Sequence, residues 1–249
     1  MPAEQHKFKF NFKYFDIHCH AYEYSLNEIE YFLNNKILIF SVSEDLESIK
    51  KNLEISKNYN LPIFVGFHPW NSEKISKNDI NFLNKIIKFE NIVGIGEIGL
   101  DKVFGKNFEK QKEIFIEQLK IAKEYDLAIN VHSLKTLKEV IDLVIKFDIK
   151  KVNFHWVNYS SYLEEIKNLG YFCSFNITIK NKENHKKALE VLDIKNILTE
   201  SDGPYEYKNI KMSSIDVIEV VKEISNFYKI KEEKLIKQLK RNLKNFIKL

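Results

Sequence analysis

The chain has 249 residues, a formal net charge of +4, 44% hydrophobic and 30% charged residues, and two cysteines, Cys19 and Cys173. This length can bury a sizeable core without disulfide bonds, and so few cysteines argue against a disulfide-rich secreted fold and favour a reducing compartment. The sequence has no apolar run of about 18 residues, which would indicate a membrane span. It also lacks the apolar region and cleavage site of a signal peptide, so we expect a cytoplasmic protein.

Eight short apolar runs, rich in β-branched and aromatic residues, follow one another along the chain. They cover residues 14–18, 37–42, 63–67, 92–95, 128–131, 151–154, 171–175 and 196–199. Each run lacks an internal proline, which is typical of buried parallel strands. These runs are therefore predicted to be strands.

Longer segments with helical spacing lie between the predicted strands. Clear examples are residues 46–58, 108–125, 136–147 and 185–192, and two more helices are predicted at 213–228 and 232–247. This alternation predicts an α/β fold with a parallel sheet, and the chain length favours a TIM-like (β/α) barrel, regular or distorted. We expect a single domain over residues 1–249, with the last two helices completing the outer ring. A doubly wound open sheet is the alternative.

The chemically unusual residues fall where the predicted strands end. In a barrel these ends gather at one mouth, where active sites are built, so the side chains should converge. The other two histidines, His6 and His185, are expected to be structural or exposed. In chain order the strand-end residues are His18 and His20 in FDIHCH, His68 in VGFHPW, Glu97 in VGIGEIGLD, His132 in INVHS, His155 in VNFHW and Asp202 in LTESDGP.

Taken singly, each of these residues has an ordinary explanation, such as a packed core histidine or, for Asp202 before Gly203, a turn aspartate. A buried glutamate such as Glu97 is costly unless it is paired or bound to metal. Taken together, histidines and carboxylates predict a metal centre that suits zinc or manganese better than magnesium. Six ligands fit two divalent ions that share a bridge. The six candidate ligands are His18, His20, Glu97, His132, His155 and Asp202.

These motifs together resemble those of the TatD family of metal-dependent deoxyribonucleases, within the amidohydrolase superfamily of barrels. The resemblance covers almost the whole chain in the expected order, and GIGEIGLD and LTESDGP carry it most specifically. It implies a division of the ligands between two ions: His18, His20 and Asp202 for one, His132 and His155 for the other, and Glu97 as the bridge.

The resemblance also implies roles in catalysis and substrate binding. Glu97 and Asp202 would be the catalytic residues, and Asp202 would orient or deprotonate the attacking water. His68 would contact the substrate phosphate rather than a metal. Glu200, in the same segment as Asp202, would orient a metal ligand by a hydrogen bond without binding the metal itself.

The loops around the ligands depart from the family pattern. The family commonly carries arginine two residues after the fifth-strand histidine, where this chain has Leu134 followed by Lys135. A lysine there would replace a bidentate phosphate contact by a point charge. The segment after the sixth-strand histidine begins with Trp156 and lacks the family's glycine, and Lys102 stands where an aromatic residue is expected. The sequence therefore indicates the type of reaction more clearly than it indicates the substrate.

The resulting hypothesis is hydrolysis of phosphodiester bonds in nucleic acid, with DNA as the expected substrate, by a metal-activated hydroxide. Lys135 and Trp156 are candidate substrate contacts beside the metal centre. Trp70 and Trp156 could stack on unpaired bases, and Lys102 and Lys106 could contact phosphates. We expect a monomer without a protein partner.

Two other functions remain open. A two-metal ester or amide hydrolase, such as an aminoacyl-tRNA deacylase, is the alternative, because the same centre can attack a carbonyl group. A catalytically inactive binding protein should have lost at least one ligand, and none is missing. Barrels that bridge their metals with a carboxylated lysine are disfavoured, because Glu97 occupies the corresponding position on the fourth strand.

Overall fold

A computed structural model of the chain describes residues 11–89 and 91–247. Within these ranges, eight parallel strands form one sheet whose spatial order follows the sequence, surrounded by helices. The strands are β1 (Tyr14–Cys19), β2 (Ile37–Ser41), β3 (Ile63–Val65), β4 (Ile92–Asp101), β5 (Ala128–Leu134), β6 (Val152–Phe154), β7 (Phe172–Phe175) and β8 (Ile197–Thr199). This order confirms the (β/α) barrel, and the open doubly wound sheet is wrong.

The helices occupy the intervals between strands and the region after β8. They are α1 (Leu26–Asn34), α2 (Leu46–Tyr59), α3 (Lys77–Ile86), α4 (Phe108–Glu124), α5 (Leu137–Lys146), α6 (Leu163–Asn168), α7 (Glu183–Val191), α8 (Val217–Phe227) and α9 (Glu232–Phe246). As predicted, α8 and α9 pack on the barrel, next to β1 and β8. In α9, Leu235, Leu239, Leu243 and Phe246 recur every three or four residues and are buried. Burying each leucine contributes roughly 1.5–3 kcal/mol.

The seam between β8 and β1 differs from the other strand contacts. Among the described residues no backbone ladder joins these two strands. Instead, the Ser201 amide and hydroxyl donate to the Asp16 carboxylate at 2.8 and 2.5 Å, and the Asp202 amide donates to the His18 carbonyl at 2.9 Å. The barrel is therefore distorted, and side chains and loop backbone close it.

Strands β4 and β5 extend further than the sequence predicted. The apolar run ends at Ile95, but β4 continues to Asp101, so Glu97 lies inside the strand. Pairing with β5 is irregular between Ile95 and Ile98 and then resumes, reaching past His132. The prediction that every ligand ends a strand is wrong for Glu97 and His132, because the parallel ladder continues where the apolar pattern stops.

A short hairpin after β8 was not predicted. Strands β9 (Glu206–Tyr207) and β10 (Ile210–Lys211) pair antiparallel across a two-residue turn. The turn residues, Lys208 and Asn209, both have positive φ, 49° and 64°. Positive φ at both positions matches the right-handed twist of a two-residue hairpin. The hairpin therefore has a fixed geometry beside the carboxyl end of β8.

Both cysteines and His185 are buried in the structure. Cys19 and Cys173 are both buried and unpaired. No helix within the described ranges is long and apolar enough to cross a membrane. His185 is buried in α7 and lies 3.0 Å from the Thr178 hydroxyl, as expected of a structural histidine. His6 and most of the amino-terminal segment lie outside the described residues.

Gly99 in β4 is a position where a side chain should be strongly destabilising. Its φ is +146°, and a Cβ there would lie 1.9 Å from the His132 carbonyl oxygen. Backbone strain and overpacking together should make Gly99→Ala cost roughly 2–5 kcal/mol of unfolding free energy. Urea denaturation measures this change. Gly170, with φ +72° and no neighbour within 4 Å, is the matched control. Equal losses in both variants would contradict the steric explanation.

Candidate metal centre

The predicted ligands converge on Glu97, which is 3% exposed. Its Oε1 lies 2.9 Å from His155 Nε2 and 3.0 Å from His132 Nδ1. Its Oε2 lies 3.3 Å from His18 Nε2 and 4.0 Å from His20 Nε2. The two carboxylate oxygens thus face two different pairs of imidazoles, as a bridging ligand would.

Asp202 completes the group around Oε2. Its Oδ1 lies 3.3 Å from His18 Nε2 and 3.4 Å from His20 Nε2. Burial alone would raise the pKa of Asp202, but the nearby imidazoles of His18 and His20 outweigh burial and hold this pKa below its usual range. All six candidate ligands are therefore brought together, in two groups that meet at Glu97.

His18 shows most clearly that this pocket fits a metal ion. Its Nδ1 lies 3.0 Å from Asn130 Oδ1, and the Asn130 amide is oriented by donating to the Ile17 carbonyl at 2.9 Å. Nδ1 therefore carries the proton, and the lone pair is on Nε2. Nε2 is fully buried and has no hydrogen bond within the described residues, although two carboxylates face it. A lone pair aimed at carboxylate oxygens is unfavourable by itself and suits a cation between them.

His20 is held in the same way by residues that the sequence did not single out. Its Nδ1 lies 3.3 Å from the Tyr22 hydroxyl, which donates to Glu44 Oε2 at 2.7 Å. The hydroxyl oxygen can then accept a hydrogen bond from the Nδ1–H group, which leaves the lone pair of Nε2 for a metal. The side chains of Glu44, His20 and Glu97 also lie close enough together to bind one ion.

Asp101 holds His132 and links it to an aromatic side chain at the mouth. The carboxylate Oδ2 accepts from His132 Nε2 at 3.0 Å and from Trp70 Nε1 at 2.7 Å, and the amides of Val103 and Phe104 donate to Oδ1. Burial opposes the charged form, but these hydrogen bonds hold the pKa of Asp101 below its usual range. His132 is thereby fixed with its Nδ1 lone pair toward Glu97.

Replacing Asp101 by asparagine should weaken metal binding without removing a ligand. An amide oxygen can still accept from His132 Nε2, but the ligand loses its charged partner, and such losses typically cost about 10- to 100-fold in metal affinity. Competition with a chromogenic chelator measures the affinity. Trp70→Phe removes the other donor to Asp101 Oδ2 and should leave metal affinity within a few-fold. Asparagine variants with unchanged affinity would contradict this role.

His155 meets Glu97 through Nε2, and its other ring nitrogen faces Glu200. The distance from His155 Nδ1 to Glu200 Oε2 is 4.0 Å, longer than a hydrogen bond. Glu200 accepts from the Trp156 amide at 2.8 Å and from the Ser174 hydroxyl at 2.5 Å. Burial raises the pKa of Glu200 to about 8. Support of His155 by Glu200 therefore stays a prediction, and the direct hydrogen bonds of Glu200 are with Trp156, Ser174 and Asn176.

His68 lies close to the same carboxylate but in a different tautomer. Its Nδ1 accepts from the Trp70 amide at 3.3 Å, so Nε2 carries the proton. Nε2 lies 3.3 Å from Glu97 Oε1. Proximity alone would group His68 with Glu97 and His132 as metal ligands. The tautomer makes His68 a hydrogen-bond donor, which agrees with its predicted contact with a substrate oxygen.

The remaining predicted substrate contacts lie around the mouth. Lys135 is exposed at the end of β5, and Lys106 is exposed on the loop after β4. Lys102 is paired with Glu139, so its charge is partly compensated. Trp156 directly follows His155 and is partly buried. The structure therefore leaves Lys135 and Trp156 as candidates and makes Lys102 a weaker one.

Comparison with known proteins gives a consistent result. A sequence model of the family described as TatD related DNase matches residues 15–248. An uncharacterized metal-dependent hydrolase of Methanocaldococcus jannaschii is 30% identical over 249 residues, which cover 95% of this chain and 97% of that protein. Human deoxyribonuclease TATDN3 is 26% identical, with 76% of this chain and 77% of that protein covered. The crystal structure of YjjV, a TatD homolog from Escherichia coli, has a TM-score of 0.84 at 22% identity, covering 95% of this chain and 98% of that one.

Proposed function

The chain belongs to the TatD family of metal-dependent hydrolases, and we propose that it is a nuclease that hydrolyses phosphodiester bonds of DNA at a centre of two divalent ions. The placement of Glu97 carries this proposal, because its two oxygens face two separate pairs of histidines. The name of the human relative, a deoxyribonuclease, supports DNA as the substrate.

We assign the ligands as the geometry groups them. One ion would be held by His18, His20, Asp202 and Glu97 Oε2, and the other by His132, His155 and Glu97 Oε1. When bound, two such ions would activate water and neutralise charge on the phosphoryl oxygens. Histidine and carboxylate ligands favour zinc or manganese over magnesium.

The protein's own side chains would supply proton transfer and orientation. Asp202 faces His18 and His20 through Oδ1, so Oδ2 is the candidate acceptor of a proton from the attacking water. His68 would donate from Nε2 to a nonbridging phosphoryl oxygen, where negative charge develops. Trp70, whose indole N–H is bound to Asp101, would form one wall of the mouth and limit the entry of water.

The test is metal-dependent hydrolysis by the purified protein. After treatment with a chelator, the protein is supplied with zinc, manganese or magnesium and incubated with single-stranded DNA, the matching duplex and an aminoacyl-RNA ester. We expect cleavage of DNA only after a metal is added. Turnover of the ester alone would replace the nuclease by the ester hydrolase, and inactivity on all three substrates with every metal would overturn both.

A further inference from the structure

An aromatic and cationic cluster lies between the end of β6, the start of α7 and the β9–β10 hairpin. The Trp156 ring makes edge-to-face contacts with Tyr205 at 6.0 Å and with Tyr207 at 5.2 Å between ring centroids. Tyr205 is 46% exposed. We call the cluster the aromatic–lysine patch, and it consists of Trp156, Lys182, Tyr205, Tyr207 and Lys208.

The two lysines of the patch carry uncompensated charge. Lys182 Nζ lies 4.0 Å from the centroid of Tyr207 and 5.1 Å from that of Trp156, and Lys208 Nζ lies 5.5 Å from Tyr207. In the described part of the chain, neither lysine forms an ion pair with a carboxylate. Glu206, which lies between Tyr205 and Tyr207 in sequence, is opposite Lys211 in the register of the hairpin. The patch therefore combines exposed aromatic surface with two lysines that have no carboxylate partner among the described residues.

The patch is fixed relative to the metal centre. Trp156 directly follows the candidate ligand His155, and its amide donates to Glu200 Oε1 at 2.8 Å. Its φ is 44°, a left-handed conformation that is unfavourable for a bulky residue and tends to occur at functional sites. On the other side, the Tyr205 amide donates to the Asp202 carbonyl at 3.2 Å. Two ring-bearing residues of the patch are thus attached directly to metal-centre segments.

We propose that the aromatic–lysine patch binds the nucleotide next to the scissile phosphate of a single-stranded nucleic acid. The base would stack on Tyr205, and the adjoining phosphate would bind Lys182. Aromatic rings beside cationic groups are the usual means of holding unpaired bases and their backbone, whereas bases in a duplex already stack on each other. This inference rests on the proposed nuclease function and adds a strand requirement to it.

The chain offers a direct readout, because it contains only two tryptophans, Trp70 and Trp156. In a Trp70→Phe background, fluorescence comes from Trp156 in the patch. The metal-loaded protein is titrated with a phosphorothioate-linked thymidine hexamer, which resists hydrolysis. We expect Trp156 emission to change on binding. In this background Tyr205→Ala should weaken binding about 5- to 150-fold, the range of one lost base stack, and Lys182→Ala should weaken it by at least about 5-fold through loss of the phosphate contact.

Control variants test whether the loss of binding is specific to the patch, because they remove an exposed tyrosine or lysine elsewhere on the protein. Tyr31 is an exposed tyrosine on α1, and Lys187 is an exposed lysine on α7. Tyr31→Ala and Lys187→Ala should bind the hexamer like their parent, and Tyr205→Phe should retain most of the affinity. A hexamer of abasic residues should bind the parent as weakly as the normal hexamer binds Tyr205→Ala.

Parallel cleavage assays keep this inference distinct from the proposed nuclease function. If the native protein fails to hydrolyse DNA, the function fails, while the titration still decides whether the patch binds an oligonucleotide. If the protein cleaves DNA but Tyr205→Ala and Lys182→Ala bind the hexamer as their parent does, the patch proposal alone is overturned. Equal losses in the patch variants and the Tyr31 and Lys187 controls, or no binding at all, would overturn it as well.

Discussion

Replacing Glu97 by glutamine should abolish hydrolysis and lower the divalent-ion content of the purified protein. Both groups of histidines meet this one carboxylate, at 2.9–3.0 Å through Oε1 and at 3.3–4.0 Å through Oε2. An amide has only one oxygen that can bind a cation, so at least one ion should lose its bridge. We expect activity to fall by at least about a thousand-fold, the upper range for losing one electrostatic contact at a reacting centre. Elemental analysis measures the ions, and cleavage of labelled DNA measures the activity.

Glu44→Gln is the matched control for Glu97→Gln. It neutralises a carboxylate at the same mouth and keeps an oxygen that can accept from Tyr22. Glu44 lies near His20 and Glu97, but its hydrogen bond is to Tyr22, which the glutamine can keep, so this change should reduce activity far less. Circular dichroism and thermal unfolding should show both variants folded. A Glu97→Gln protein that keeps its full ion content and its activity would rule out the bridging role.

The second large effect is expected at Asp202. Asparagine preserves the size of the side chain, and the backbone amide that donates to the His18 carbonyl at 2.9 Å is unaffected, so the seam should stay closed. The variant loses the carboxylate that would take a proton from water, and general-base losses typically cost about 10²- to 10⁴-fold. We expect kcat to fall by this factor, while the ion held by His132 and His155 is retained.

Glu206→Gln controls for the loss of a nearby negative charge. Glu206 lies on the hairpin four positions from Asp202 in sequence and is exposed, so its variant should keep the native kcat. Single-turnover cleavage with saturating enzyme separates chemistry from substrate binding. If Asp202→Asn had the native single-turnover rate, Asp202 would not take part in proton transfer and would be at most a metal ligand.

The barrel could be predicted because its strands are buried on both faces. Such strands appear in sequence as continuous apolar runs, and the eight runs correspond to β1–β8 within a few residues. The prediction was less accurate for β4, where Gly96 and Glu97 interrupt the apolar pattern while the ladder with β5 continues to Asp101. The β9–β10 hairpin was missed, because two-residue strands leave almost no periodicity and the Lys208–Asn209 turn lacks glycine.

The ligands of the candidate site could be predicted from the sequence, but the residues that orient those ligands by hydrogen bonds were harder to predict. The histidines and carboxylates stand out against apolar strands, and the structure brings all six together. Asn130, which orients His18, had a usable signal, since it precedes His132 by two positions in β5 and so shares its face. The sequence signal for Asp101 was weaker, because it is only a carboxylate at the end of the Glu97 motif. Glu44 had none, because only tertiary packing brings it to Tyr22 and His20.

The seam between β8 and β1 has a consequence for how the protein is made. His18 and His20 leave the ribosome early, whereas Asp202 is synthesised after almost the entire barrel. An ion bound by these three residues would therefore be captured only when the last strand docks on the first, a contact of high sequence separation and slow formation. Bound there, it would hold the loop after β8 against β1, at the boundary where the described residues form no backbone ladder, so we expect loss of the ion to favour opening of the barrel at this seam.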